Sequence, residues 1–393
     1  MCAKYIAFLI TLSLMTFIKV SGQIISKKII VDDTLSPNSS VLHPEKDMVP
    51  FDIENMDINI LYGFIDKTGS VISPCQWEDA GDFHEGLAFV EDNKGKYGFI
   101  DKTGTVVIPC QWKYAVFFSE GLACVEDSQS KYGYIDKTGK LVIPCKWNWS
   151  CICSEGLAIV RNKREKYGFI DKTGALVIPC RWRDADEFSE GLAKVKDNKG
   201  KYGFINKAGK LAIPCQWKDA SSFSEGLAWV KDDFGYYGFI DKTGKMVVPC
   251  KWYHAYDFSE GLAKVFDGNE KYGFIDKTGK VVIPSQWNYA HDFSEGLAWV
   301  WDENDKCGII DKEGKLVIPC QWNNAHEFSE GLAWVLIDDN KSGFIDKTGT
   351  LVIPCEWESP NYDNSGFHEG LFTICKSNVI YKKDSEDNAI IKY

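Results

Sequence analysis

The sequence of 393 residues has no uninterrupted apolar run near the ~20 residues that a membrane-spanning helix needs, so no membrane span is expected. It has no excess of positive charge either. Lys and Arg number 45 against 56 Asp and Glu, a formal balance of −11, so the electrostatic footprint of a nucleic-acid binder is missing. Although 14 Cys are present, there is no paired Cys-x-x-C and no Cys/His set at zinc spacing. His84-Glu85 and His368-Glu369 do not extend to the His-Glu-x-x-His of a metalloprotease. Acidic turns such as Asp302-Glu303-Asn304-Asp305 lack the Gly and distal Glu of a calcium loop. No metal site and no cofactor are therefore predicted. Disorder is excluded by composition, with 45% hydrophobic and 26% charged residues, the balance of an ordinary globular chain.

What the chain does have is periodicity. Gly63-Phe64-Ile65-Asp66 recurs in close variants beginning at Gly98, Gly133, Gly168, Gly203, Gly238, Gly273, Gly308 and Gly343, always 35 residues on. A Trp follows 14 positions after each, from Trp77 to Trp357, and a Pro series from Pro74 to Pro354 keeps the same step. Glu-Gly-Leu recurs from Glu85 to Glu330, then slips by four residues to Glu369. Self-similarity at a fixed period is the mark of a repeat architecture, here nine units over 62–375. Before them, positions 1–22 follow the grammar of a secretory signal peptide. Lys4 is followed by an apolar stretch over 5–18, and Val20-Ser21-Gly22 precedes Gln23. Export is expected, to the periplasm, the cell surface or the medium. An uncleaved anchor is the competing reading, against which Lys19 interrupts the run. Positions 23–50, with Pro37 and Pro44, read as a flexible lead-in.

Within one unit, Tyr97-Gly98-Phe99-Ile100 and Thr105-Val106-Val107-Ile108 are aromatic and β-branched and read as strands. Asp101-Lys102-Thr103-Gly104 between them reads as a turn ending in a left-handed Gly. Pro109 ends the second strand, having no N–H to give. After Trp112 an irregular stretch leads to a third strand at Leu122-Ala123-Cys124-Val125. The expectation is an all-β chain of nine three-stranded antiparallel meanders. A cap strand over 51–61 and a cap hairpin over 376–393 are expected to shield the ends.

The recurring Tyr-Gly-Phe-Ile-Asp-Lys-Thr-Gly, Val-Ile-Pro, Trp and Phe-Ser-Glu-Gly-Leu-Ala resemble the WG repeat. The pattern departs from it in having Tyr before the first Gly, and Cys307 and Ser342 in that place in the eighth and ninth copies. The resemblance implies an all-β repeat fold and assigns no activity. Propellers usually have four to eight blades of four strands, which nine three-stranded units fit poorly. An open superhelix or solenoid is expected, with a closed β-propeller as the alternative.

Four repeated features are candidates for chemistry. Asp101-Lys102-Thr103-Gly104-Thr105 spells the phosphorylation motif of P-type ATPases, but Asn206-Lys207-Ala208-Gly209 replaces both Asp and Thr at one copy, so it reads as a turn. The nine Glu of the Glu-Gly-Leu triplets share one environment, whereas acid–base catalysis needs carboxylates in different ones; they read as acceptors of local backbone N–H groups. Cys75, Cys110, Cys145, Cys180, Cys215, Cys250, Cys320 and Cys355 occupy one repeat position, with Ser285 in the remaining slot. Buried free thiols are the expectation, and export leaves bridges open. On the third strand, Trp229, Trp299, Trp334 and Phe89 share a variable position that alternation turns away from Ala228 and Val230. These four are the predicted ligand-binding residues, an exposed aromatic row with Trp301 nearby. His291 and His326 share another repeat position.

No Ser-His-Asp or Cys-His set breaks the repeat, and no catalytic residue is predicted. The expected function is a binding or scaffold module holding a protein or glycan of the cell envelope. The alternative is a hydrolase-type enzyme with its site in irregular segments such as 358–367.

Overall fold

The computed structural model describes residues 16–20, 23–27, 56–338, 341–354 and 366–381. It divides the chain into two units, 1–55 and 56–393. In the first, Thr16–Val20 pairs antiparallel with Gln23–Lys27. The rest of the expected signal peptide and lead-in, the insertion over 358–365 and the expected hairpin turn at 384–388 lie outside the described residues.

In the second unit the described regular structure is all β, arranged as nine antiparallel sheets. Eight are four-stranded meanders. The first consists of Asp79–Ala80, Leu87–Glu91, Tyr97–Asp101 and Val106–Trp112, hydrogen-bonded in that order. The stretch after each of eight Trp, Trp77 to Trp322, expected to be irregular, thus supplies a fourth strand. In this sheet it is two residues long, paired as Asp79↔Glu91 and Ala80↔Val90, too short to show a period of two in the sequence. Each sheet takes two strands from the end of one repeat and two from the start of the next.

That offset decides the architecture. The first repeat supplies only the later strands of a sheet, and the last repeat is left with an earlier one. Met56–Asp66 pairs with Leu371–Tyr381 over eleven positions, from Met56↔Tyr381 to Asp66↔Leu371, and on its other side with Val71–Trp77. The chain is a closed nine-bladed β-propeller, so the expected open superhelix is corrected to its alternative. The physical reason is edge pairing. An open array would leave the N–H and C=O groups of both terminal strands without partners, whereas closure joins them in one ladder. The two ends expected as separate caps are halves of the closing sheet.

Local sequence fits this geometry. Asp101 Oδ1 accepts from the Thr103 N–H at 2.9 Å, the Thr103 hydroxyl at 2.6 Å and the Thr105 N–H at 3.1 Å. The Thr103 hydroxyl and N–H hold the Asp101 carboxyl below its ordinary range. Gly98 is needed because a bulge brings the outer strand close: a Cβ there would lie 2.5 Å from the Ile108 carbonyl oxygen. Both faces of a blade are buried. Phe99 and Ile108 of one blade pack with Phe118, Val125 and Ile135 of the next, the Phe99 and Phe118 rings 4.8 Å apart.

The Ser-Glu-Gly turns bind blade to blade. The Glu85 carboxylate accepts from the N–H of Gly121 at 3.1 Å and pairs with Lys137 at 3.0 Å, both on the next blade. Lys137 also donates to the Glu85 carbonyl at 2.9 Å. The same Gly and Lys partners serve Glu120, Glu155, Glu190, Glu225, Glu260 and Glu295. The circle continues across the seam. Glu330 takes Gly370 and Lys67, and Glu369 takes Gly86 and Lys102. The carboxylates accept backbone N–H groups as expected, but from the neighbouring blade rather than locally. Ser119 adds a second staple, its hydroxyl donating to the Cys153 carbonyl at 2.7 Å, and the six other Ser at this position act alike. This contact marks the short-strand side as the inner rim, whereas Val106 and Val107 on the outermost strand are exposed.

Two outcomes follow. Joining Tyr381 to Met56 by a short turn and opening the chain in the exposed 127–131 turn is expected to give a folded permutant of 56–381 with one cooperative thermal transition; an unfolded product would contradict closure. Partial burial pushes the Glu190 carboxyl up, but Lys242 and the Gly226 N–H outweigh it and hold it below the ordinary range. A depressed folded pKa contributes stability above the unfolded value and loses it as pH falls through the folded one. Glu190→Gln is expected to cost about 1 kcal/mol at pH 7 by chemical denaturation, with the difference shrinking below about pH 4.

Candidate ligand cleft

The four residues expected to form an exposed row do not form one. Trp299 and Trp334 are 1% and 5% exposed, and Trp229 and Phe89 are half-buried. Trp299 lies edge-on to Trp322 with ring centres 5.6 Å apart, Trp334 lies 5.0 Å from His326, Trp229 5.2 Å from Tyr237 and Phe89 5.9 Å from Tyr97. Alternation along a strand exposes one face only when nothing covers it, and in a closed ring each blade lies between two others. At the repeat position Cys110, Cys145, Cys180, Cys215, Cys250 and Cys320 are outside any disulfide, and they are half-buried rather than buried as expected. Burial pushes Cys110, Cys145, Cys215 and Cys250 up to about 11. Among the described residues no group of three or more His, Cys, Asp or Glu converges as for a metal ion.

The candidate site lies where the repeat is broken. The third strand of six blades opens with Tyr: Tyr97, Tyr132, Tyr167, Tyr202, Tyr237 and Tyr272. This side chain spans from the inner strand of its own blade to that of the next. The Tyr97 hydroxyl donates to Asp79, 18 residues back, at 3.0 Å, while its ring meets Tyr114, 17 residues on, at 5.5 Å. Tyr272 likewise meets Tyr289 at 5.5 Å, and Tyr237 stacks on His254 at 4.6 Å. In the seventh blade Cys307 stands in this place, buried, its thiol donating to the Trp322 carbonyl at 3.4 Å. The corresponding neighbours of Cys307 are Tyr289 and Asn324. Both line a cleft of about 450 Å³, within the range of small-molecule sites. The next blade carries Ser342 at the same position.

Trp301, His291 and His326 share the lining, so the two equivalent histidines do meet at one site. Trp301 is stacked on His291 at 5.0 Å and set edge-on to Tyr289 at 5.2 Å. Burial lowers the His291 pKa to about 4, helped by Lys264 and His326, so its ring is neutral near pH 7. Behind these rings, buried Lys264 donates to the Ala290 carbonyl at 2.9 Å, faces Asp292 at 3.5 Å and lies 4.0 Å over the Tyr256 ring. Burial drives Lys264 down against the pull of Asp292, and drives Glu327 up.

Strand order fixes which end of the ring the cleft occupies. In a meander successive turns alternate ends, so the Ser-Glu-Gly and Asp-Lys-Thr-Gly turns share one end. Asp305, from the turn at 302–306, and Asn288, from the link between blades, place the cleft at the other. The lining offers aromatic faces, amides and one carboxylate, the chemistry of recognition. Cys307 itself is buried in the core with Trp299 and Trp322, and the cleft lies beside it, between Tyr289 and Asn324. The sequence carried two signals near this site, the departure of Cys307 from Tyr and the shared repeat position of His291 and His326.

The WG containing repeat family matches residues 62–97, 97–128, 132–167, 167–202, 202–233, 237–270, 272–306, 308–340 and 343–379. No curated protein matches the sequence. Among solved structures, a eukaryotic initiation factor is similar with 13% identity, 80% of this chain and 98% of that one covered, and a TM-score of 0.52, a likeness of fold alone. The computationally designed Ika8 protein covers 68% of this chain and 95% of its own at 10% identity and a TM-score of 0.41. BamB from Moraxella catarrhalis covers 65% and 87% at 11% identity and 0.37.

If Cys307 marks a lost ring, Cys307→Tyr is expected to fold with an unchanged or higher thermal midpoint. Tyr272→Cys is expected to destabilise by about 2 kcal/mol in chemical denaturation, as large-to-small changes between packed elements do. A strong loss of stability in Cys307→Tyr would show that the cleft is not the place of a ring.

Proposed function

Because the chain belongs to the WG-containing repeat family, we propose that it is a non-catalytic binding module exported to the cell envelope, with the cleft beside Cys307, lined by Tyr289, His291 and Trp301, as its ligand site. The observation that carries this reading is the coincidence of a broken repeat with a cleft of about 450 Å³. A ring held by nine identical staples presents that cleft on rigid elements, which lowers the ordering cost of binding. The repeated carboxylates, the first place to look for acid–base chemistry, are each engaged by a Gly N–H and a Lys ammonium. The apolar stretch over 5–18 supports export.

Protein recovered from the envelope fraction of producing cells is expected to begin at Gln23. It is also expected to co-sediment with an envelope preparation, whereas Cys307→Tyr of native thermal midpoint stays in the supernatant. Equal sedimentation of the two proteins, or of neither, would remove the cleft from the function.

A further inference from the structure

Resting on that reading, we propose that the cleft takes an uncharged sugar ring of a glycan, seated against Trp301 and Tyr289. Sugar rings carry C–H groups on their faces and hydroxyls at their edges, and each hydroxyl both donates and accepts. Aromatic side chains cover such a face well, and Trp301 and Tyr289 retain exposed area at the cleft. The Trp301 indole is held in place by His291 and Tyr289, so little freedom is lost when a ring docks on it.

The polar lining matches the edge of a sugar. The Asn288 side-chain oxygen accepts from Lys271 at 2.6 Å, and that of Asn324 from the Ala325 N–H at 2.9 Å, so each amide has NH₂ donors to offer a ligand. Asp305, on an exposed turn in the left-handed region at φ 56°, contributes a carboxylate acceptor. Two amide donors and one acceptor around aromatic rings suit vicinal hydroxyls better than an aliphatic side chain, which would leave the polar groups without partners.

Charge selects among sugars. The lining includes Asp305, and Asp292 and Glu327 stand behind it, while no Lys or Arg lines the cleft. Lys271 and Lys306 nearby are engaged by Asn288 and Asn323. Lys264 behind the rings is engaged too, by Asp292 and the Ala290 carbonyl, so phosphorylated or uronic acid units would meet the Asp305 carboxylate and only lysines already held by protein partners.

The test uses the mature chain from Gln23 and follows tryptophan fluorescence and titration calorimetry. The probes are neutral gluco-, manno- and chito-oligosaccharides, oligogalacturonate, and a mixed peptide library. Neutral oligosaccharide binding is expected, about tenfold weaker in Trp301→Ala, abolished in Cys307→Tyr and unchanged in Trp229→Ala. Trp301→Phe, which retains a ring and protects the fold, is expected to fall between. Cys307→Tyr-sensitive binding of peptide or oligogalacturonate alone would overturn the sugar and leave the cleft as a site. Failure of every neutral sugar with a protein that still sediments with envelope would do the same. Neutral sugar binding indifferent to Cys307→Tyr would overturn both.

Discussion

Closure of the ring governs everything else in this protein. Eleven cross-strand pairs between Met56–Asp66 and Leu371–Tyr381 turn a string of repeats into a circle without free ends. Once closed, every blade has two neighbours and must bury two faces. Phe99 meets Phe118 across one interface and Phe344 meets Phe367 across another, by the same contact. A side chain on either face of a second strand then becomes core, which is why Trp299 is buried although strand alternation alone would turn it outward.

The same symmetry explains the near-identity of the repeats. Each Glu carboxylate reaches two turns of the next blade, so each blade must supply a Glu, a Gly and a Lys at fixed places. Single pairs of this kind at a half-exposed surface are weak. Nine in a circle, each reinforced by a backbone N–H, impose one spacing and one tilt on all blades. The Asp-Lys-Thr-Gly sequence, suggestive of phosphoryl transfer when taken alone, is the turn that carries the Lys of this circle. Its Asp shapes the backbone and its Lys makes the contact.

Structural equivalence also tells where specialisation has occurred. A ring of equal blades offers no distinguished site until one blade departs from the rule. Cys307 does so by surrendering an aromatic ring that bridges inner strands elsewhere, and the elements around it remain pinned by the staples. Trp301, His291 and His326 line the cleft beside it, the two histidines at equivalent positions in consecutive blades. The buried Lys264 and its acidic neighbours lie close by.

Much of the fold was legible because a repeat writes its local rules many times. Three of four strands, the Gly-ended turns and the period of 35 could be read from the residues alone, whereas the Pro expected to end the outer strand lies inside it: Val106–Trp112 runs past Pro109, which an edge strand with an irregular register tolerates. The inner strand escaped notice because it is two residues long in five blades and interrupted by a register shift in the three where it has six, and closure escaped because pairing of Met56–Asp66 with Leu371–Tyr381 is a contact across the whole chain. The site was legible only as an anomaly, Cys307 in place of Tyr, and a repeat position shared by His291 and His326, while the aromatic row drawn from Trp229, Trp299, Trp334 and Phe89 assumed a free face that a ring does not have. Sequence by itself determined the unit, its strands and its turns, since these depend on neighbours a few residues apart. Tertiary structure alone decided that the array closes, which faces are covered and where a cleft opens beside a missing ring, since each depends on the distance between residues one blade or a whole chain apart.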